Sequence, residues 1–193
     1  LLALDVVRRE RFEVDGERDA EMIYSPVFLY PVAGLFIASD RHNNPDGSPF
    51  TAPSDIVFPA INAGTLLFLK IISKSATGDV LDLCSGSGVA ALLLGKSARS
   101  VVASDITGRA SHFARFNKLL NHGDNVEIVQ GDLYAALAER SFDRIVAHPP
   151  YVPSLAQTTI YRDGGQTGET LIKQIIPGLP RALPPGGNYY SVC

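Results

Sequence analysis

From residue 79 onward, short runs of aliphatic and β-branched residues alternate with longer stretches whose apolar positions recur at helical spacing. The runs at 79–83, 100–104, 126–130 and 143–147 predict strands, and the stretches at 89–97 and 108–121 predict helices, the second stopping at Gly123. Leu171, Ile172, Ile175, Ile176 and Leu179 share the face of another helix, which Pro177 should break or kink. Pro184-Pro185-Gly186-Gly187 then turns the chain into a fifth strand at 188–192. Strand and helix in strict alternation imply βαβ units, so the expected fold class is α/β: a doubly wound, mostly parallel, Rossmann-like sheet.

The first 53 residues break this rhythm. Val27, Leu29, Val32, Leu35 and Ile37 alternate as in short strands, with Pro31 and Gly34 as punctuation, and predict a small N-terminal β-rich extension. The Asp, Asn, Gly, Pro and Ser residues of 39–54 predict a long polar loop, either a lid or a disordered connection. A helix at 62–73 should follow. The expected organisation is an extension at 1–53 and a core at 54–193.

Composition changes this picture little. The 193 residues are 46% hydrophobic and 19% charged, ordinary globular usage, and the net charge of -3 argues against a protein held on nucleic acid by a global basic field. Two cysteines give no disulfide framework and suit a reducing, cytoplasmic setting. No apolar run reaches the roughly 18 residues of a membrane span, the longest, at 66–72, being interrupted by Lys70. The chain opens on Leu1, so a natural N-terminus is expected upstream.

Chemistry enters at Val80-Leu81-Asp82-Leu83-Cys84-Ser85-Gly86-Ser87-Gly88, an apolar strand that breaks into a glycine loop before the apolar helix from Val89. Gly86 and Gly88 admit backbone conformations closed to other residues, and the free N–H groups of the helix point at the same spot. An adenosine-containing cofactor is the expected ligand. Gly86, Gly88 and Ala91 also satisfy the dinucleotide fingerprint, with Asp105 about 20 residues on as the ribose carboxylate, so the loop alone leaves two cofactor classes open. Gly95-Lys96-Ser97 is not a phosphate loop, because the required upstream glycine is missing; it reads as a helix end whose Gly95 and Lys96 serve the last carbonyls.

The fourth strand runs into His148-Pro149-Pro150-Tyr151, and that turn decides between the classes. It resembles the Asn-Pro-Pro-Tyr motif of class I S-adenosylmethionine-dependent methyltransferases, particularly the small-domain branch that methylates protein glutamine or nucleic-acid amino groups. The resemblance covers about 80–192 and implies S-adenosylmethionine as methyl donor. It also implies roles for residues at the carboxyl ends of the strands. Asp105 would accept the ribose hydroxyls with Ile106 beside the adenine, Asp132 with Leu133 would meet the adenine amine, and Asp82 would lie near the amino-acid half. Cys84 stands where the family has its first loop glycine, which is tolerable if its φ stays negative; its other reading is a small buried hydrophobe. Family sheets add an antiparallel edge hairpin for which no residues remain after 192, so the C-terminal strands appear missing.

The turn marks the methyl-acceptor end. Two prolines fix φ and donate no N–H, leaving main-chain carbonyls free to hold a planar amide or exocyclic amine, on which Tyr151 can stack. Histidine in place of asparagine opens an alternative, a small-molecule methyltransferase with His148 as general base, against a loop-bonded structural histidine. A third reading is a non-catalytic cofactor-binding scaffold. The acceptor thus stays open among protein glutamine, nucleic-acid base and small molecule. His42, His112 and His122 lack metal-ligand spacing, and Arg109, Arg115 and Lys118 read as the wet face of a helix. Tyr161-Arg162-Asp163-Gly164-Gly165 and Gly168-Glu169 resemble the Gly-rich stretch of release-factor glutamine methyltransferases, where Arg162 either helps close the site or sits on a surface loop.

Overall fold

The computed structural model describes residues 7–14, 17–72, 78–156 and 158–192. The predicted helix end at Ser73 and the second cysteine, Cys193, lie outside the described residues. The central sheet contains β5 (Asp79–Leu83), β6 (Ser100–Asp105), β7 (Val126–Gln130), β8 (Arg144–Ala147) and β9 (Asn188–Ser191). All pairings are parallel, in the order β7-β6-β5-β8-β9, which puts the switch of winding direction at β5. The helices between them are α2 (Val89–Gly95), α3 (Gly108–Leu120) and α4 (Ile172–Ala182).

Strand alternation divides the core. Val80, Val101, Ala103 and Val146 face one side, with α2; Leu81, Leu83, Val102, Ile145 and Ala147 face the other, with Ile175 and Ala182 of α4. Both faces are therefore covered, as the near-continuous apolar strands require.

Before the sheet come two antiparallel hairpins, β1 (Arg8–Val14) with β2 (Glu17–Tyr24), and β3 (Val27–Val32) with β4 (Leu35–Asp40), then α1 (Ala63–Ile71) capped by Asn62, which accepts from Thr65 N–H. The β3–β4 hairpin explains why α2 is apolar on every side. Val32, Leu35 and Ile37 and the α1 residues Phe68 and Leu69 bury it from above while the sheet buries it from below.

The outer edge of β4 is completed by side chains. Asn117 of α3 accepts from Ala38 N–H at 2.7 Å and donates to Ala38 C=O at 2.9 Å; Asn121, one turn on, does the same at Phe36 at 2.9 and 2.7 Å. Asn117 also donates to Ser87 C=O in the glycine loop at 2.9 Å. Asp40, at the end of β4, accepts from Val57 N–H and from both ends of the Arg109 guanidinium, each at 2.6 Å. Arg109 is exposed on the helix face with Arg115, as expected, and it also ties α3 to β4.

Local expectations were corrected in four places. The helix carrying Pro177 neither stops nor splits: α4 runs through Pro177 and Pro180, which lie on its exposed side, where the freed carbonyls of Lys173 and Ile176 can reach water. The residue of positive φ after α3 is His122 (53°), not Gly123, although Gly123 N–H closes on Lys118 C=O. The Lys96 ammonium donates to Gly34 C=O in the β3–β4 turn, not to the end of α2. The polar loop begins only after Asp40, since β4 claims Ser39 and Asp40.

Candidate active site

The carboxyl ends of β5, β6, β7 and β8 open on one cleft of about 350 Å³. Its floor is the glycine loop. The chain leaves β5 through three left-handed residues, Cys84 (φ 56°), Gly86 (52°) and Gly88 (78°), so Cys84 does not keep the negative φ expected of it. A non-glycine residue there costs about 1–2 kcal/mol, and the fixed ends of the loop impose it. Ser85 N–H bonds back to Ser104 C=O at 3.1 Å, and Gly88 N–H to Ser85 C=O at 2.8 Å. A side chain at Gly86 would meet nothing within 4 Å, whereas one at Gly88 would stand 3.2 Å from Ala114 Cβ. Gly86 thus faces the cleft, and Gly88 lets α2 and α3 approach instead of lining it.

Asp105 holds this floor in place. One carboxylate oxygen accepts from Gly86 N–H at 2.9 Å; the other accepts from Thr107 N–H and Oγ1 at 3.0 and 3.2 Å. It is not the cap of α3, a role taken by Thr107, which accepts from Ala110 N–H. Asp82 is 1% exposed and accepts from Ala91 N–H at 3.0 Å. Burial first, then the nearby Asp105 charge, push its carboxyl up to about 8, so it is mostly protonated at neutral pH. Burial also raises the Cys84 thiol, leaving it a poor nucleophile. Asp132, Leu133 (φ 45°) and the exposed Ile106 complete this end. Ser85 Oγ and Ser104 Oγ are buried in the cleft lining without a hydrogen-bond partner among the described residues.

The opposite wall is His148-Pro149-Pro150-Tyr151. The His148 ring stacks on Phe68 of α1 at 5.0 Å and on Tyr151 at 5.9 Å. Burial lowers its pKa, which keeps the imidazole neutral at pH 7. The Gly-rich stretch buttresses the turn from behind: Val152 N–H bonds to Arg162 C=O and Gly164 N–H to Val152 C=O, at 3.0 and 2.8 Å. Glycine is required there, because a Cβ on Gly164 would lie 2.8 Å from Pro150 O and one on Gly168, at φ 80°, would overlap Tyr151 O. Arg162 lines the cleft with its side chain half exposed.

Sequence reasoning missed a third wall. Residues 55–58, with Ala60 and Asn62, border the cleft beside Phe68, and Ile160 N–H bonds to Ser54 C=O at 2.9 Å. Phe58 stacks on Tyr161 at 5.1 Å and 7°, and His42, an exposed loop residue, lies between Phe58 and Phe28 at 5.2 and 5.1 Å in an aromatic file. The polar loop at 41–54 is not a lid on the cleft: Asp46 accepts from Ser48 N–H and Oγ in a local turn, and the lining begins at Asp55. The Pro53-Ser54-Asp55-Ile56-Val57-Phe58 segment carries no periodic signal; its aromatic residue inside an irregular stretch was the one available clue.

Residues 57–193 match the family described as methyltransferase small domain. A ribosomal protein uL3 glutamine methyltransferase of Xanthomonas campestris pv. campestris is 35% identical over 55% of this chain and 39% of its own length. A release factor glutamine methyltransferase of Thermodesulfovibrio yellowstonii is 34% identical over 59% and 45%. A uL3 glutamine methyltransferase of Bradyrhizobium diazoefficiens is 30% identical over 74% and 52%. The chain thus spans about half or less of the length of these relatives. Among solved structures, Trm5b from Pyrococcus abyssi superposes with a TM-score of 0.51 at 19% identity, over 95% of this chain and 47% of that one, a likeness of fold. Among the described residues, no helix is long and apolar enough to cross a membrane.

Proposed function

Because the chain belongs to the methyltransferase small domain family, we propose that it transfers a methyl group from S-adenosylmethionine to a planar nitrogen, with a protein glutamine side chain as the favoured acceptor. The observation that carries this reading is one cleft with two unlike ends, a carboxylate-anchored glycine loop at one and a proline-stiffened turn at the other. The glutamine acceptor is supported by the names of the relatives and by the Gly-rich buttress behind the turn.

The donor fits the residues present. Asp105 and Asp132 would hold the adenosine half beside Ile106 and Leu133, and the Asp105 oxygen that accepts from Gly86 N–H keeps a lone pair for the ligand. The unpartnered hydroxyls of Ser85 and Ser104 and the carboxyl of Asp82 offer polar contacts to the amino-acid half. When bound, the donor supplies a methyl group on a sulfonium, an electrophile that needs no covalent enzyme intermediate. The protein's work is orientation. Pro149 and Pro150 stiffen the turn, its carbonyls can receive the N–H groups of a planar acceptor, and Tyr151 can cover its face. We place the activity in the cytoplasm, where Cys84 would stay reduced, with residues 54–193 as the catalytic core and 1–53 as its support.

Two measurements test this. Titration calorimetry should show S-adenosylmethionine binding to the intact chain and no detectable binding to Asp105→Ala; labelled donor should mark release factor or uL3 offered as acceptor. Binding of a nicotinamide dinucleotide instead, or donor binding without transfer to protein, nucleic acid or small molecules of a cell extract, would refute the enzyme reading.

A further inference from the structure

We infer that His148 is the proton acceptor of the transfer step, so that the methyl acceptor is a nitrogen or oxygen whose own proton must leave. This rests on the methyl-transfer reading above and adds a chemical role to it. The imidazole reaches the acceptor end of the cleft, held by stacking on Phe68 and Tyr151, and among the described residues neither ring nitrogen has a hydrogen-bond partner. His148 is only half-buried, and its ring nitrogens stay open to solvent and to the cleft it lines. They are left for whatever occupies the cleft.

The surroundings keep the ring basic in the right sense. From α1 it meets Phe68 and the small Gly64, whose added Cβ would stand 3.8 Å from the ring carbon Cε1. The other titratable groups lining the cleft are Asp55, Asp82, Cys84, Asp105, Asp132, Tyr151, Tyr161 and Arg162. None of them perturbs His148, whose only cause of shift is burial; its pKa lies below the usual 6.5, and at pH 7 it is a neutral base.

The step balances as follows. The acceptor lone pair forms the bond to the methyl carbon while the carbon–sulfur bond of the sulfonium donor breaks, its electron pair remaining on sulfur. The proton on the acceptor atom passes to the free nitrogen of His148, and the imidazolium returns it to water after product leaves. A planar amide gains most from this, because an alkylated amide nitrogen that kept its proton would carry a full positive charge.

The test uses the intact chain, labelled S-adenosylmethionine, and release factor, uL3 and total cell protein as acceptors, between pH 5 and 9. Incorporation should fall one decade per pH unit below a midpoint under 6.5, and that midpoint should match the His148 titration followed by imidazole NMR in the free protein. His148→Asn should lose about 10²–10⁴-fold in rate and its acid limb, while calorimetric donor affinity changes less than about threefold. A flat wild-type profile, an His148→Asn protein of full rate, or an imidazole found charged at pH 7 overturns the inference and leaves methyl transfer standing. Absence of donor binding, or of incorporation at every pH, overturns both.

Discussion

The two ends of the cleft are built by different physics. At the glycine loop the parts are locked by short hydrogen bonds to charged or buried carboxyl groups: Asp105 to Gly86 and Thr107, and Asp82 to Ala91. At the turn the parts are held by ring faces and by glycines that let backbones touch: His148 against Phe68 and Tyr151, Gly64 beside Tyr151, and Gly164 and Gly168 against 150–151. The first arrangement is fixed within the βαβ unit itself. The second brings Gly64 and Phe68 of α1 against the 148–151 turn, 80 to 87 positions later in the chain.

Substitutions at the two ends should separate cleanly. The largest effect is expected for Asp105→Ala, which removes the carboxylate proposed to hold the ribose and frees Gly86; donor affinity should fall more than about 100-fold, consistent with a lost pair of charge-assisted bonds. Donor affinity that survives would show that the loop keeps its shape without this acid. Gly168→Ala comes next, because its Cβ would overlap Tyr151 O at a left-handed backbone; transfer should drop about 100-fold with donor affinity within about threefold, a displacement of the kind that misaligned reactants suffer. Gly64→Ala is milder. Its Cβ would stand 3.1 Å from Tyr151 Oη, a contact the hydroxyl can relieve by a small shift, so kcat/KM for the acceptor should fall about tenfold with donor affinity unchanged. Equal losses of donor binding in either glycine variant would merge the two ends into one.

The remaining effect is on stability. Asp82 binds its proton more tightly folded, with a pKa of about 8, than unfolded, near 3.9. Its contribution is complete below about pH 4 and is lost as pH rises through 8. The Tm of the wild type should therefore decline between pH 5 and 8 relative to Asp82→Asn, measured by calorimetric melting. Parallel curves would mean that Asp82 is charged in the fold.

The donor end was legible in the sequence because it is local. The strand at 79–83 and its glycine loop, and the strand-end acids Asp105 and Asp132, lie at fixed offsets that the βαβ repeat dictates, and β5 and β7 fall on the predicted residues. The acceptor end was legible only in His148-Pro149-Pro150-Tyr151. Phe58 and Phe68 border it through contacts that no period encodes. Cys84 was misjudged because φ depends on where both ends of the loop are anchored. Arg109 is exposed as its helical position says, but that position does not say what meets it: Asp40, 69 positions earlier, does. The amides of Asn117 and Asn121 looked like ordinary polar helix residues, yet they finish an edge of β4.

Asn117 also joins two things that otherwise share nothing, because its NH₂ group spans Ala38 C=O and Ser87 C=O. No residue of β4 borders the cleft, so the hairpin is a remote tether of the glycine-loop floor. A variant trimmed to start at Asp55, where the cleft lining begins, would keep every lining residue and still bind donor less tightly, its loop slackened at Ser87 by an amide with one hand empty.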